Sequence, residues 1–233
     1  MHIPSLRSFW DQLRRPILPH AQGRYRCDPG RPQLLILVEG RHDIEFLCRM
    51  AKVVRTNHPQ VPDLRQLEIA SRLIFIPAGG NDFRLWQSRL APFGCSEFHL
   101  YDRDLPPEAD RRIAWANSVS QRPDCRAFVT QKRSLENYLH PAAIQAVQGV
   151  TISFGDFDDL PSLVAQARLA QWKDIPWELL SLRTRRRMRD RAKGWLNTLA
   201  VDAMNCRLLA ERKSLEELIL WFGTITTLLA RAR

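Results

Sequence analysis

The chain has 233 residues, with 35 Lys and Arg against 25 Asp and Glu and a formal net charge of +10. That length is enough to bury a real core, most simply as one domain with an appended subdomain. The charge favours polyanionic partners, nucleic acid first and an anionic membrane surface second. Five scattered cysteines (Cys27, Cys48, Cys95, Cys125, Cys206) without a C-x-x-C pair argue against a disulfide framework and a structural zinc, and for a reducing compartment.

Residues 1–32 read as an N-terminal arm. Leu6, Phe9, Trp10 and Leu13 have helical spacing before Pro16 and Pro19, and the arginines throughout do not suit a signal peptide. From residue 33 the pattern becomes α/β. Leu34–Val38 is a continuous apolar run, as in a strand buried on both faces, and 41–54 reads as a helix with Ile44, Leu47, Cys48 and Ala51 inward. A second strand is expected at 72–76, closed by Pro77-Ala78-Gly79-Gly80-Asn81, and a second helix at 82–90. The spacing then predicts a strand at 97–101, a helix at 109–119 and a strand at 126–130. Strands alternating with short helices predict an α/β fold whose mostly parallel sheet has helices on both faces.

After Tyr138 the character changes. Residues 141–149 suit a short helix, 151–161 an acidic loop or edge strand, and the rest is helical in period. The expected division is a catalytic domain over 33–149 and a basic helical C-terminal region over 150–233. Its longest apolar run, Leu218–Ala230, is broken by Gly223 and three threonines and is too short to span a bilayer. The expectation is a cytoplasmic protein with no membrane partner.

The chemistry lies where apolar strands end in acids. Glu39 follows the first strand, Asp43 sits in the next helix, Asp102 and Asp104 follow the third strand, and Glu136 lies in Ser134-Leu135-Glu136-Asn137-Tyr138. In open parallel sheets ligands bind outside the carboxyl ends of the strands. Residues two apart along an extended segment point to one side, so Asp102 and Asp104 can present two carboxylates together. If the first and third strands are neighbours, the acids converge, repel and raise one another's pKa. A hard cation such as Mg²⁺ or Mn²⁺ would relieve that repulsion and could activate water against a phosphodiester. Taken singly, each motif also reads as a turn or a helix cap.

Together these residues resemble a Toprim domain: Val38-Glu39-Gly40 with Asp43, then Ala78-Gly79-Gly80-Asn81, then Tyr101-Asp102-Arg103-Asp104. The Lys132–Leu139 segment is similar to that of Toprim nucleases of the overcoming-lysogenisation-defect type and their stand-alone phage-defence relatives. The likeness covers residues 33–140. It implies Mg²⁺-dependent phosphodiester hydrolysis of DNA or RNA, with Glu39 a ligand or general base, Asp102 and Asp104 metal ligands, Asp43 a supporting acid and Glu136 part of a second metal position. It further implies an antiviral or mobile-element setting. Lys132 and Arg133 either stabilise charge on the transferring phosphate or are a solvated pair, with Lys132 the better catalytic candidate. Gly79, Gly80 and Asn81 form either a phosphate-holding loop at a helix start or a plain turn.

No P-loop pattern is present, so an ATPase, if used, is a separate subunit. Arg183, Arg185, Arg186, Arg187, Arg189, Arg191 and Lys193, opposed only by Asp190, suit nucleic-acid contact. Met188, Ala192, Trp195 and Leu199 form a narrow apolar stripe on the same helix. The last helix, 213–231, is core, or docks a partner or a second copy. Alternatives to the defence nuclease are a ribosomal-RNA-maturase-like processing nuclease and a non-catalytic nucleic-acid-binding subunit of an ATPase complex.

Overall fold

The computed structural model describes residues 32–79, 83–173 and 175–231; the amphipathic arm and the Gly80-Asn81 part of the glycine loop lie outside the described residues. The apolar run Leu34–Val38 forms β1, and every one of its residues is buried. A strand made only of aliphatic residues has no polar face to give to water, so it takes the middle of the sheet. The order is β2 (Leu73–Pro77), β1, β3 (Ser96–Tyr101), β4 (Cys125–Val129), with all neighbours parallel. Pro77 closes an edge strand, where a missing N–H costs no ladder bond.

Side-chain alternation along β1 divides the helices between two faces. Leu34, Ile36 and Val38 join Phe98 and Leu100 against α1 (Arg41–Arg55) and the C-terminal helices. Leu35 and Leu37 face Trp86 and Leu90 of α3 (Phe83–Leu90), and Tyr101 packs with Phe83 and with Ala116 of α4 (Glu108–Ser120). Helix α2 (Leu64–Ile69) was not expected from the pattern. Its signal is local: the Asp63 carboxylate accepts from Gln66 N at 3.1 Å and caps it.

Beyond β4 come a tight 3₁₀ turn (Leu135–Tyr138), α5 (Pro141–Gln148), α6 (Leu160–Trp172), α7 (Leu182–Trp195), α8 (Cys206–Glu211) and α9 (Leu215–Arg231). Helix α7 runs on into a π-helical turn, Leu196–Ala200. The 151–159 stretch is a loop rather than an edge strand, tied down where Asp156 Oδ1 accepts from Lys132 Nζ (2.7 Å) and Arg212 Nη2 (3.1 Å). The C-terminal helices are not a separate layer. Leu218, Trp221, Phe222 and Ile225 belong to one continuous core with β1, β3 and α1. Among the described residues, no helix is long and apolar enough to cross a membrane.

Trp221 is fully buried and stacks obliquely on Tyr138, ring centroids 5.3 Å apart. Truncation to Ala should cost about 3–5 kcal/mol. Because the core is shared, urea unfolding followed by far-ultraviolet circular dichroism should remain one transition, shifted to lower denaturant. Two resolved transitions would instead mean that the C-terminal helices fold as a unit of their own.

Candidate metal centre

The acids are brought together by topology. β1 and β3 are adjacent and parallel, in register at Leu37 and His99, so Glu39 and Asp102 leave the sheet side by side at its carboxyl edge. Asp43, one turn into α1, is 3% exposed, and its Oδ2 accepts from Gly40 N at 2.8 Å. This bond holds α1's first turn against the β1 exit. Asp102 is buried, with Oδ1 accepting from Leu135 N at 3.2 Å. The same turn delivers Glu136, itself 1% exposed.

Asp104 reaches the group by a different route from the one expected. Its backbone is left-handed (φ 56°), a region that Asp tolerates better than most residues, and its N–H donates to Arg133 O at 2.9 Å. The extended alternation is therefore broken: Asp102 points into the fold, while Asp104 stays partly exposed beside Arg112. Gly79 also has positive φ (73°), and its N–H donates to Glu39 O at 3.0 Å, so the described part of the glycine loop braces the Glu39 turn.

Two cations enter this group. Arg112 of α4, almost fully buried, lies with Nη1 2.7 Å from Glu39 Oε1 and Nη2 3.6 Å from Asp104 Oδ2. Its guanidinium sits over the rings of Phe83 and Trp115. Lys193 of α7 places Nζ 3.5 Å from Glu136 Oε1. Glu136 is further satisfied by Asn197 Nδ2, 2.6 Å away, and by Ser134 Oγ, 2.7 Å away. Sequence reasoning missed Arg112 and assigned Lys193 to the outward basic run. Both had a signal. Arg112 stands on the stripe Ala109, Arg112, Ala116, Val119 that α4 buries, and Lys193 lies four residues before the buried Asn197.

Lys132 does not join the acids. Its ammonium is held by Asp156 and lies 5.8 Å from the centre of the Tyr138 ring. His99 is also directed away, buried between Glu97 Oε2 and Tyr101 Oη at 2.8 Å each. Of the basic run, Arg183, Arg186, Arg187, Arg189 and Arg191 are exposed and Arg185 is half-buried.

The electrostatics follow from burial of like charges. Desolvation, only partly offset by Arg112 and reinforced by Asp43 and Asp104, raises Glu39 to about 7. Desolvation raises Asp43 to about 6, with Lys193 opposing and Glu136 adding. Asp102 is pushed well above the carboxylate range by burial, then by Glu39 and Asp43. Burial pushes Glu136 upward too, but Lys193 and the hydrogen bonds from Asn197 and Ser134 outweigh it and hold the carboxyl below its ordinary value. Lys193 is in turn held charged by Glu136 first, against the cost of burial, and then by Asp102, Asp43 and Glu39.

An all-carboxylate donor set suits a hard divalent cation. Glu39 Oε1 is buried and has the Arg112 guanidinium, 2.7 Å away, as its counter-charge, so a cation bound there would compete with Arg112 for that atom. Among the described residues, no three His, Cys, Asp or Glu side chains are drawn together as around a bound ion. The nearest positive charges, Lys193 and Arg112, belong to the protein. Scanning the chain against family models, curated proteins and solved structures returned no match.

A carboxyl whose folded pKa exceeds its unfolded value stabilises the fold when protonated, and that contribution is lost as pH rises through the folded pKa. In chelator, thermal stability should therefore fall between about pH 4 and pH 7, the window between the ordinary and the raised values of Glu39 and Asp43. The fall should be on the order of a few kcal/mol. Glu39→Gln should flatten it, and millimolar Mg²⁺ should recover stability at pH 8. Melting curves across this range check the sign directly.

Proposed function

We propose that the chain is a Toprim-type, Mg²⁺-dependent nuclease that hydrolyses phosphodiester bonds in nucleic acid. The observation that carries this reading is the placement of Glu39, Asp43, Asp102 and Glu136 at one sheet edge, where burial first and neighbouring acids second raise the proton affinity of Glu39, Asp43 and Asp102 while Glu136 stays ionised against Lys193. Chemistry that demands several desolvated carboxylates in a basic protein is metal-assisted work on a polyanion.

In this reading Glu39, Asp102 and Asp104 hold the cation, with Asp43 supporting Glu39 and Glu136 bordering a second position. Bound there, Mg²⁺ would polarise the phosphate and lower the pKa of a coordinated water. The protein's own groups do the rest. If Asp102 and Asp104 hold the ion without it, Glu39 is the carboxylate placed to accept a proton from water. Arg112 is the counter-ion of Glu39, and Lys193, beside Glu136, replaces Lys132 as the cation that would stabilise charge on the transferring group. The exposed arginines of α7 would hold the flanking strand.

A second reading has one observation in its favour. Lys193 and Arg112 already offset much of the acids' mutual repulsion, so the acids do not by themselves require a cation, and a non-catalytic nucleic-acid-binding subunit fits as well. A phage-defence role, a separate ATPase partner and self-association remain part of the proposal and rest on the family resemblance and the charge pattern.

The test is cleavage of plasmid, single-stranded DNA, transfer RNA and ribosomal RNA by the purified chain in Mg²⁺, Mn²⁺ or chelator. Metal-dependent cleavage should fall at least roughly a hundredfold in Asp102→Asn and Glu39→Gln. Lys193→Met should lower the rate more than it lowers nucleic-acid affinity. Retained binding with no cleavage in any metal would hand the site to the second reading.

A further inference from the structure

Away from the acids, helices α6 and α7 enclose a cavity of about 340 Å³. Its floor is apolar, from Leu169 on one helix to Ala192 on the other, and its walls include the indoles of Trp172 and Trp195. Around these stand Arg168, Lys173, Arg187 and Arg191, and among the described residues no carboxylate lines it. Arg168 is engaged by Gln148, whereas Lys173, Arg187 and Arg191 form no ion pair with any described residue.

Trp172 is 77% exposed at the end of α6. An exposed indole at the mouth of an apolar cavity offers a face on which a flat ring can stack. An apolar slot with an aromatic wall and a rim of fork-shaped cations matches one ligand chemistry: a flat heteroaromatic ring attached to phosphate. The size is at the small end of ligand pockets.

We propose that this cavity takes an unpaired base of a nucleic-acid strand, stacked on Trp172, while Arg187 and Arg191 bind the adjoining phosphates. The inference rests on the nucleic-acid reading above and narrows it to single-stranded or locally melted substrates, because a paired base inside a duplex cannot enter a slot between two helices. Helix α7 links the cavity to the acidic centre. Residues 187, 188, 191, 192 and 195 line the cavity, while Lys193, on the opposite side of the helix, reaches Glu136. The two sites are thus about one helix diameter apart, ~10–12 Å, a span that a few nucleotides cover. A strand crossing α7 would have a base fixed on one side and a phosphodiester over the acids on the other.

The experiment uses the full chain in chelator, so that binding is read whether or not the protein cleaves. Fluorescence anisotropy would compare a labelled single-stranded oligonucleotide, the same sequence as blunt duplex, and an abasic version. The single strand should bind tightest, and Trp172→Ala should weaken it about tenfold while leaving the abasic strand unchanged. Arg187→Ala with Arg191→Ala should weaken both strands and reduce the slope of log affinity against log salt by about 0.7 per arginine. An equal loss on the abasic strand, or none on the intact one, would overturn the proposal. So would a change in molar mass of Trp172→Ala by light scattering with oligonucleotide binding intact, which would assign the cavity to a second copy of the chain. A chain that passes this test yet cleaves nothing would retain the pocket and lose the nuclease reading.

Discussion

The structure depends on what happens when several carboxylates are taken out of water at one edge of a parallel sheet. Burying even one such charge costs several kcal/mol unless it is compensated, and here Glu39, Asp43, Asp102 and Glu136 share the cost. Lys193 meets it from the C-terminal side and Arg112 from α4. These two ion pairs tie four parts of the chain together: the β1 exit, α4, the 3₁₀ turn and α7. The continuous core, which runs from β1 through α9, supplies the rigidity that holds the charges near one another.

Helix α7 has two jobs because its sequence has two buried faces. One, at Met188, Ala192 and Trp195, packs toward α6 and leaves the cationic cavity; the other, at Lys193, Leu196 and Asn197, closes the acidic centre. Arg187 and Arg191 rim the cavity, and the other exposed arginines occupy what remains. A helix built this way can hold a strand on both sides of itself, which makes the C-terminal region part of the site.

Much of this is legible in the amino-acid sequence. Strands alternating with short helices suffice to expect a parallel sheet, and Glu-Gly after the first strand with Asp-x-Asp after the third to expect acids at its carboxyl edge. What could not be read was contact across the chain. The reach of Lys193 into the centre depends on how α7 is rotated against the sheet, and a run of seven cations hides which of them turns inward. Lys132, closest in sequence to Glu136, is drawn off by Asp156 some two dozen residues later, a pairing that local spacing does not encode. The left-handed Asp104 likewise breaks the strand alternation that would have set it beside Asp102.

The central claim, that these acids form a site for a divalent cation, is tested most directly by titrating Mn²⁺ into the apo-protein at pH 8 and counting bound ions by electron paramagnetic resonance. The account requires saturable binding to the native chain, competed by Mg²⁺ and abolished in Asp102→Asn that remains folded. Absence of saturable binding to the native chain, or equal binding to the variant, would contradict it.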